Sequence, residues 1–267
     1  MKKLNFLFSL LILLACSFVI KKEKLKSEWQ SAVITIDGKA DEWKMPLRFY
    51  DPETNLNYSI SNNAENLFVC VKIPDEQTQL KIMRSGMQLW IDTLGKTKKH
   101  VGLKYPLSSF ERTGDEEAPS PFGPVAKTVM EKYRKMVKER STEMLLSGFI
   151  PPVGGMVYTK DSSGVSVCIN WDATNSMIYE AVIPFKTFYR KKLVAADSLK
   201  GFGFSITTNA IPKPKSKEVD GSQGMTGMNG GGVGAMGGLP SGGSSVPKSP
   251  LYDNKTFWIN IKMAVKP

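Results

Sequence analysis

The sequence predicts a mainly β protein: an antiparallel β-sandwich of immunoglobulin-like or jelly-roll type, with one inserted helix and a disordered glycine-rich loop. Three observations carry that expectation. Short runs with period-two alternation recur between residues 33 and 263, the pattern of half-buried strands. Polar turn chemistry lies between them, at Asn62-Asn63, at Asp161-Ser162-Ser163-Gly164 and from Asp172 to Ser176. Helical spacing is confined to one segment, so alternating βαβ units are not indicated.

In chain order, Val33-Ile34-Thr35-Ile36 is β-branched throughout and reads as a first strand. Leu56, Tyr58 and Ile60 define one face of the next. Leu67, Val69, Val71 and Ile73 then alternate with Phe68, Cys70 and Lys72. Met87, Leu89 and Ile91 alternate with Gln88, Trp90 and Asp92. Val165, Val167, Ile169 and Trp171 alternate with Ser166, Cys168 and Asn170. Runs 178–184, 202–208 and 257–263 complete the set.

Two segments interrupt the pattern, as insertions at about 106–153 and 213–250. Within the first, Val125 to Leu146 has helical spacing. Val129, Tyr133, Met136, Val137 and Met144 fall near one face, while Lys132, Lys135, Lys138 and Arg140 make a basic face that is expected to be solvated. Pro119, Pro121 and Pro124 fence it before, Pro151-Pro152 after. The second insertion holds 11 of the chain's 23 glycines. It has too little apolar surface to offset its ordering entropy, so a mobile loop is expected.

The N-terminus reads as an address. Lys2 and Lys3 precede an apolar run from Leu4 to Leu14, too short for a comfortable membrane span but suited to a signal peptide over residues 1–15. Leu13-Leu14-Ala15-Cys16 resembles the bacterial lipobox, which implies cleavage before Cys16 and lipidation of that cysteine. Residues 16–29 then form a tether, and residues 30–265 a single sandwich domain. The expected home is the cell envelope, lipid-anchored, at the outer membrane.

Composition narrows the function. In 267 residues, 41% hydrophobic, 23% charged and 10% aromatic side chains describe a chain able to bury a core, which excludes wholesale disorder. One histidine and three cysteines leave no zinc-finger framework. The net charge of +11 becomes +9 once Lys2 and Lys3 leave with the signal, and no aromatic-studded basic stripe supports nucleic-acid binding.

Four motifs in order carry a resemblance. Ile36-Asp37-Gly38-Lys39-Ala40-Asp41-Glu42-Trp43 resembles the opening of family 9 carbohydrate-binding-module-like domains, in which an Asp-Gly turn and an acidic residue precede a tryptophan. Residues 66–75, ending in Asp75, are similar to the family's second landmark. Residues 87–93, ending in Asp92-Thr93, are similar to its third. Tyr179 to Pro184 matches its late strand ending in proline. The resemblance spans roughly residues 30–265 and implies an immunoglobulin-like sandwich, often a sugar-binding accessory module. Some relatives carry calcium, and some related sandwiches hold haem.

Read from the residues alone, Trp43 is a core plug at the end of the sandwich. Sugar binding needs flat aromatic faces with polar groups around them. Trp90 with Gln88 and Asp92, and Trp171 with Asn170, have that combination; the alternative for both tryptophans is ordinary sandwich core. Asp37, Asp41, Glu42, Asp75 and Asp92 are the oxygen ligands available to a structural calcium, without an EF-hand pattern. No cofactor is otherwise expected. His100 alone cannot supply bis-His haem ligation. Met225, Met228 and Met236 are soft ligands in the glycine-rich stretch. Glu116-Glu117 are adjacent and do not face one another across a substrate. Cys70 and Cys168 read as two buried thiols. The sequence therefore points to a non-catalytic envelope lipoprotein, a carbohydrate-binding module whose partner is a glycan. The alternative is a structural or assembly lipoprotein whose sandwich serves an envelope protein partner.

Overall fold

The computed structural model describes residues 25–107, 119–120, 124–213 and 249–266. They form two facing β-sheets. The first runs β1 (Leu25–Lys26), β13 (Lys255–Lys262), β12 (Gly201–Thr208), β6 (Met87–Asp92), β7 (Val101–Tyr105), β8 (Glu143–Ser147), β9 (Gly155–Tyr158). The second runs β10 (Ser166–Trp171), β11 (Met177–Pro184), β5 (Asn66–Ile73), β4 (Leu56–Asn62), β2 (Glu28–Trp29), with β3 (Phe49–Asp51) also on β4. Pairing is antiparallel except at two edges, where β1 runs parallel to β13 and β2 parallel to β4. The molecule is thus mainly β, a sandwich with an inserted helix.

The alternation sets the core. Leu67, Val69, Val71 and Ile73 from one sheet meet Leu89, Ile91, Phe204 and Ile206 from the other in one apolar cluster. Tyr58 and Phe257 close across the gap with ring centroids 5.0 Å apart. Each large side chain so buried contributes about 1.5–3 kcal/mol.

The chain departs from the sequence expectation in four places. Residues 33–36 join no ladder. They belong to a cover segment laid over the outer face of the second sheet, where Ile34, Trp43 and Leu47 pack on Phe68, Cys70 and Ile178. β5 is therefore buried on both faces. Helix α1 (Glu76–Ser85), which the alternation reading passed over, follows β5 directly. Asp75 caps it by accepting from Thr78 N at 2.7 Å, a contact of about 1 kcal/mol. Helix α2 (Lys127–Arg140) ends well before Leu146. Met144 and Leu146 instead point inward from β8 with Leu145 outward, so period two governs there and residues 106–153 contribute a sheet strand, not only an insertion. The buried face of α2 is Met130, Tyr133, Arg134 and Val137, with Val129 exposed.

The fourth departure concerns the tether. Residues 25–26 and 28–29 are strand, not spacer. Between β1 and β2, Ser27 is buried and its hydroxyl donates to Asn62 Oδ1, while Ala264 N donates to both Ser27 Oγ and Asn62 Oδ1. The signal peptide, Cys16 and the glycine-rich stretch from 214 to 248 lie outside the described residues, as do Met225, Met228, Met236 and Glu116-Glu117.

Candidate functional site

The five residues proposed for ligand binding fall in two places. Gln88, Trp90 and Asp92 are on β6, on the outward face of the seven-stranded sheet. Asn170 and Trp171 end β10, the edge of the other sheet.

Trp90 is half-buried and belongs to neither apolar cluster. Its neighbour across β7 is Gly102, and a Cβ there would meet the six-membered ring of Trp90 at 2.5–2.8 Å. The indole therefore lies down on the Gly102 backbone, a position only glycine leaves open. Trp90 Nε1 donates to Gln88 Oε1 at 2.8 Å, which fixes the ring, and Lys99 Nζ stands 5.3 Å from the ring centroid. A glycine inside the strand pattern of Val101-Gly102-Leu103 was the signal for this close approach.

Asp92 serves the backbone. It is fully buried, and its carboxylate accepts from Leu94 N, Lys96 N and Lys98 N at 2.7–3.0 Å. Burial would raise its pKa, but those donors outweigh it and hold the group below the usual carboxylate range. His100 Nδ1 lies 3.5 Å from Asp92 Oδ1. Asp92 thus shapes the 93–98 turn and does not face a ligand.

Trp171 is also half-buried, but it packs against the main core. Its Nε1 donates to Gln79 Oε1 at 2.9 Å, and the Arg134 guanidinium carbon sits 5.9 Å from its ring centroid. Asn170 and Trp171 line a cleft of about 410 Å³ with Lys39, Asp41, Met45 and Asp172. Asn170 Oδ1 accepts from Lys138 Nζ at 2.9 Å. Burial would raise Asp172, yet Lys72 at 2.7 Å and the turn donors of Thr174 and Ser176 bring it down to about 2.

The wall of that cleft is held by a buried carboxylate that sequence reading passed over. Glu180 is fully buried on the outward face of β11. It accepts from Trp43 Nε1 at 2.7 Å, Gly38 N at 2.8 Å and Asp37 N at 3.3 Å. Gly38 has φ +75°, and a Cβ on it would meet Asn170 Cβ at 2.5 Å, so the Asp-Gly turn presses directly on β10. Trp43 is core, as expected, but it plugs the cover segment rather than the end of the sandwich.

Four of the five acidic residues considered for calcium serve other partners. Asp75 caps α1, Asp92 holds its turn, Asp37 pairs with Lys39 at 3.1 Å, and Glu42 Oε1 accepts from Thr35 N. Among the described residues no three His, Cys, Asp or Glu side chains gather as a metal site would. Cys70 and Cys168 are free thiols. Both pair in register with Glu180, one on each side, so two strand spacings separate them by about 10 Å, beyond the reach of a disulfide.

No known family model matches the chain, and no characterised protein or solved structure shows significant similarity to it.

Proposed function

We propose that the protein is a non-catalytic, lipid-anchored envelope protein that binds carbohydrate through the outer face of its seven-stranded sheet. The observation that carries this reading is Trp90 lying flat on Gly102, outside the core, with its N–H fixed by Gln88. An indole held flat offers its face to the C–H side of a pyranose, and the neighbouring amide and lysine suit the ring hydroxyls. The likeness of Ile36–Trp43 and the later motifs to family 9 carbohydrate-binding modules points the same way. Anchoring rests on Leu13-Leu14-Ala15-Cys16, and several acyl chains together would hold stably where one would not.

The test has two arms. The full chain, solubilised in mild detergent, is applied to a glycan array; binding that disappears in Trp90→Ala with an unchanged circular dichroism spectrum supports the reading, and no bound glycan ends it. Cys16→Ser should move the protein from the membrane fraction to the soluble one.

A second reading, a scaffold for a protein partner, is favoured by edge strand β9, where Met156 and Tyr158 are 57% and 71% exposed. Loss of a co-purified envelope protein in Met156→Ser/Tyr158→Ser, with glycan binding absent from the wild type, would select it.

A further inference from the structure

Trp90 does not stand alone on its sheet face. Ser205 on β12 is in register with Trp90 on one side and with Trp258 on the other. The outward row across four strands is therefore Trp258, Ser205, Trp90, Gly102. Phe257 and Ile259 are the inward neighbours of Trp258 on β13, and Trp258, like Trp90, is half-buried and in neither apolar cluster.

Both indoles lean the same way. Trp90 lies over Gly102 of β7, the strand beyond its own. Trp258 lies toward β12, where a Cβ on Gly203 would touch its Cζ3 at 3.5 Å. The strands beneath the two rings are β12 and β7, with β6 between them. At about 4.8 Å per strand the ring positions are about 10 Å apart, measured across the strands.

The flanks of this row are polar. On one side stand Gln88 and the hydroxyl pair of Thr207 and Thr256, 2.9 Å apart. On the other stands exposed Asn260, which is in register with Gly203. Lys99 approaches from the 93–100 loop. Beneath the row, the Ser205 hydroxyl is fully buried and has no hydrogen-bond partner among the described residues.

We infer that this face takes an extended β-linked pyranose chain laid across the strands, stacking alternate sugar units on Trp258 and Trp90. The inference rests on the glycan-binding reading above and names its ligand class. In an extended β-1,4-linked chain successive rings turn over, so units n and n+2 present the same face, and two strand spacings match that two-unit repeat. A lone sugar reaches only one indole. A chain of three or more units reaches both, and the second contact is intramolecular, so affinity rises steeply when the chain first spans the two rings.

The experiment is a length series on the full chain in mild detergent, with cello-, xylo- and chito-oligosaccharides of one to six units, read by calorimetry. The expected result is an increase in affinity of at least tenfold between two and four units for one of the series, and little beyond. Trp258→Ala should remove that increase. Trp258→Phe should restore part of it, which separates lost stacking from lost folding. A wild-type affinity independent of chain length, or Trp258→Ala with the length effect intact, overturns the inference while the Trp90 platform stands. Failure of all three series to bind overturns the inference, and the glycan-binding reading falls with it only if the glycan array also shows no bound glycan.

Discussion

Trp43 gives its indole N–H to Glu180 Oε1 at 2.7 Å, and the backbone N–H groups of Asp37 and Gly38 go to the other oxygen of the same carboxylate. The segment from Ile34 to Leu47 adds no strand to the sheet beneath it. It is held there by this one buried acceptor and by apolar packing.

This arrangement makes stability depend on pH. Burial pushes Glu180 from its ordinary 4.5 up to about 7; the three N–H donors pull against that, and the nearby Glu42 adds to the rise. A raised native pKa means that the folded state holds the proton more tightly than the unfolded chain. The contribution is therefore complete below pH 4.5 and is lost as pH rises through 7, amounting to about 3 kcal/mol over the window. Urea midpoints should fall from pH 5 to pH 8, and Glu180→Gln should flatten that slope. A slope that survives the substitution assigns the effect to another group.

Gly102→Ala tests the platform from below. The new Cβ would sit 2.5 Å from Trp90 Cζ3, so the indole must lift off the sheet. Because the site is on an outward face, global stability should change by only about 1–2 kcal/mol. Glycan affinity should drop at least as far as in a Trp90→Phe variant. Unchanged affinity in a folded Gly102→Ala protein would show that the flat indole is not what the ligand meets.

Arg134 docks α2. Its side chain is 7% exposed, and it reaches Glu76, Gln79 and Asn175, each at 3.1 Å. Arg134→Ala leaves Gln79 with its Trp171 donor but removes the ties from α2 to α1 and to the turn before β11. A loss of about 2 kcal/mol is expected. Limited proteolysis with mapped cuts should then find cleavage inside 127–140 that the wild type resists.

Trp171→Phe separates the two tryptophan sites. The phenyl ring keeps most of the packing against the core but cannot donate to Gln79 Oε1. The expected cost is about 1 kcal/mol in unfolding experiments, with glycan affinity unchanged. Loss of binding here, with Trp90→Ala silent, would move the site to the cleft beside Asn170.

How far the sequence was legible follows from what alternation reports. It says which side chains share a face, and so β4, β5, β6, β10, β11, β12 and β13 were readable, along with the inward positions of Leu56, Val69 and Leu89. It does not say what covers the other face. Phe68 and Cys70 looked like the weaker side of a strand until the cover segment was seen lying on them. Val33 to Ile36 looked like a strand because β-branched residues favour extended backbone, which they keep here without a ladder. Helix α1 was hidden because ten residues with buried Gln79, Lys81 and Ser85 show little apolar periodicity. At the candidate site, the outward position of Trp90 was legible from its alternation with Met87, Leu89 and Ile91. Its relation to Gly102 and Trp258 was not, because register across strands distant in sequence is a tertiary fact.

The passage of residues 25–29 from one sheet to the other has a mechanical meaning. Among the described residues, a load applied from the N-terminal side passes from Leu25, which is laddered to Ile261, through Ser27 to Trp29, which is laddered to Asn62. Ser27, Asn62 and Ala264 are knotted together by hydrogen bonds at the crossing point. Tension is thus divided between both layers before it reaches either interior, and a pull from this end meets that knot before it can peel the β1 or β2 edge. A protein tugged through its leading end would respond as a laced seam does, holding until the first stitch fails.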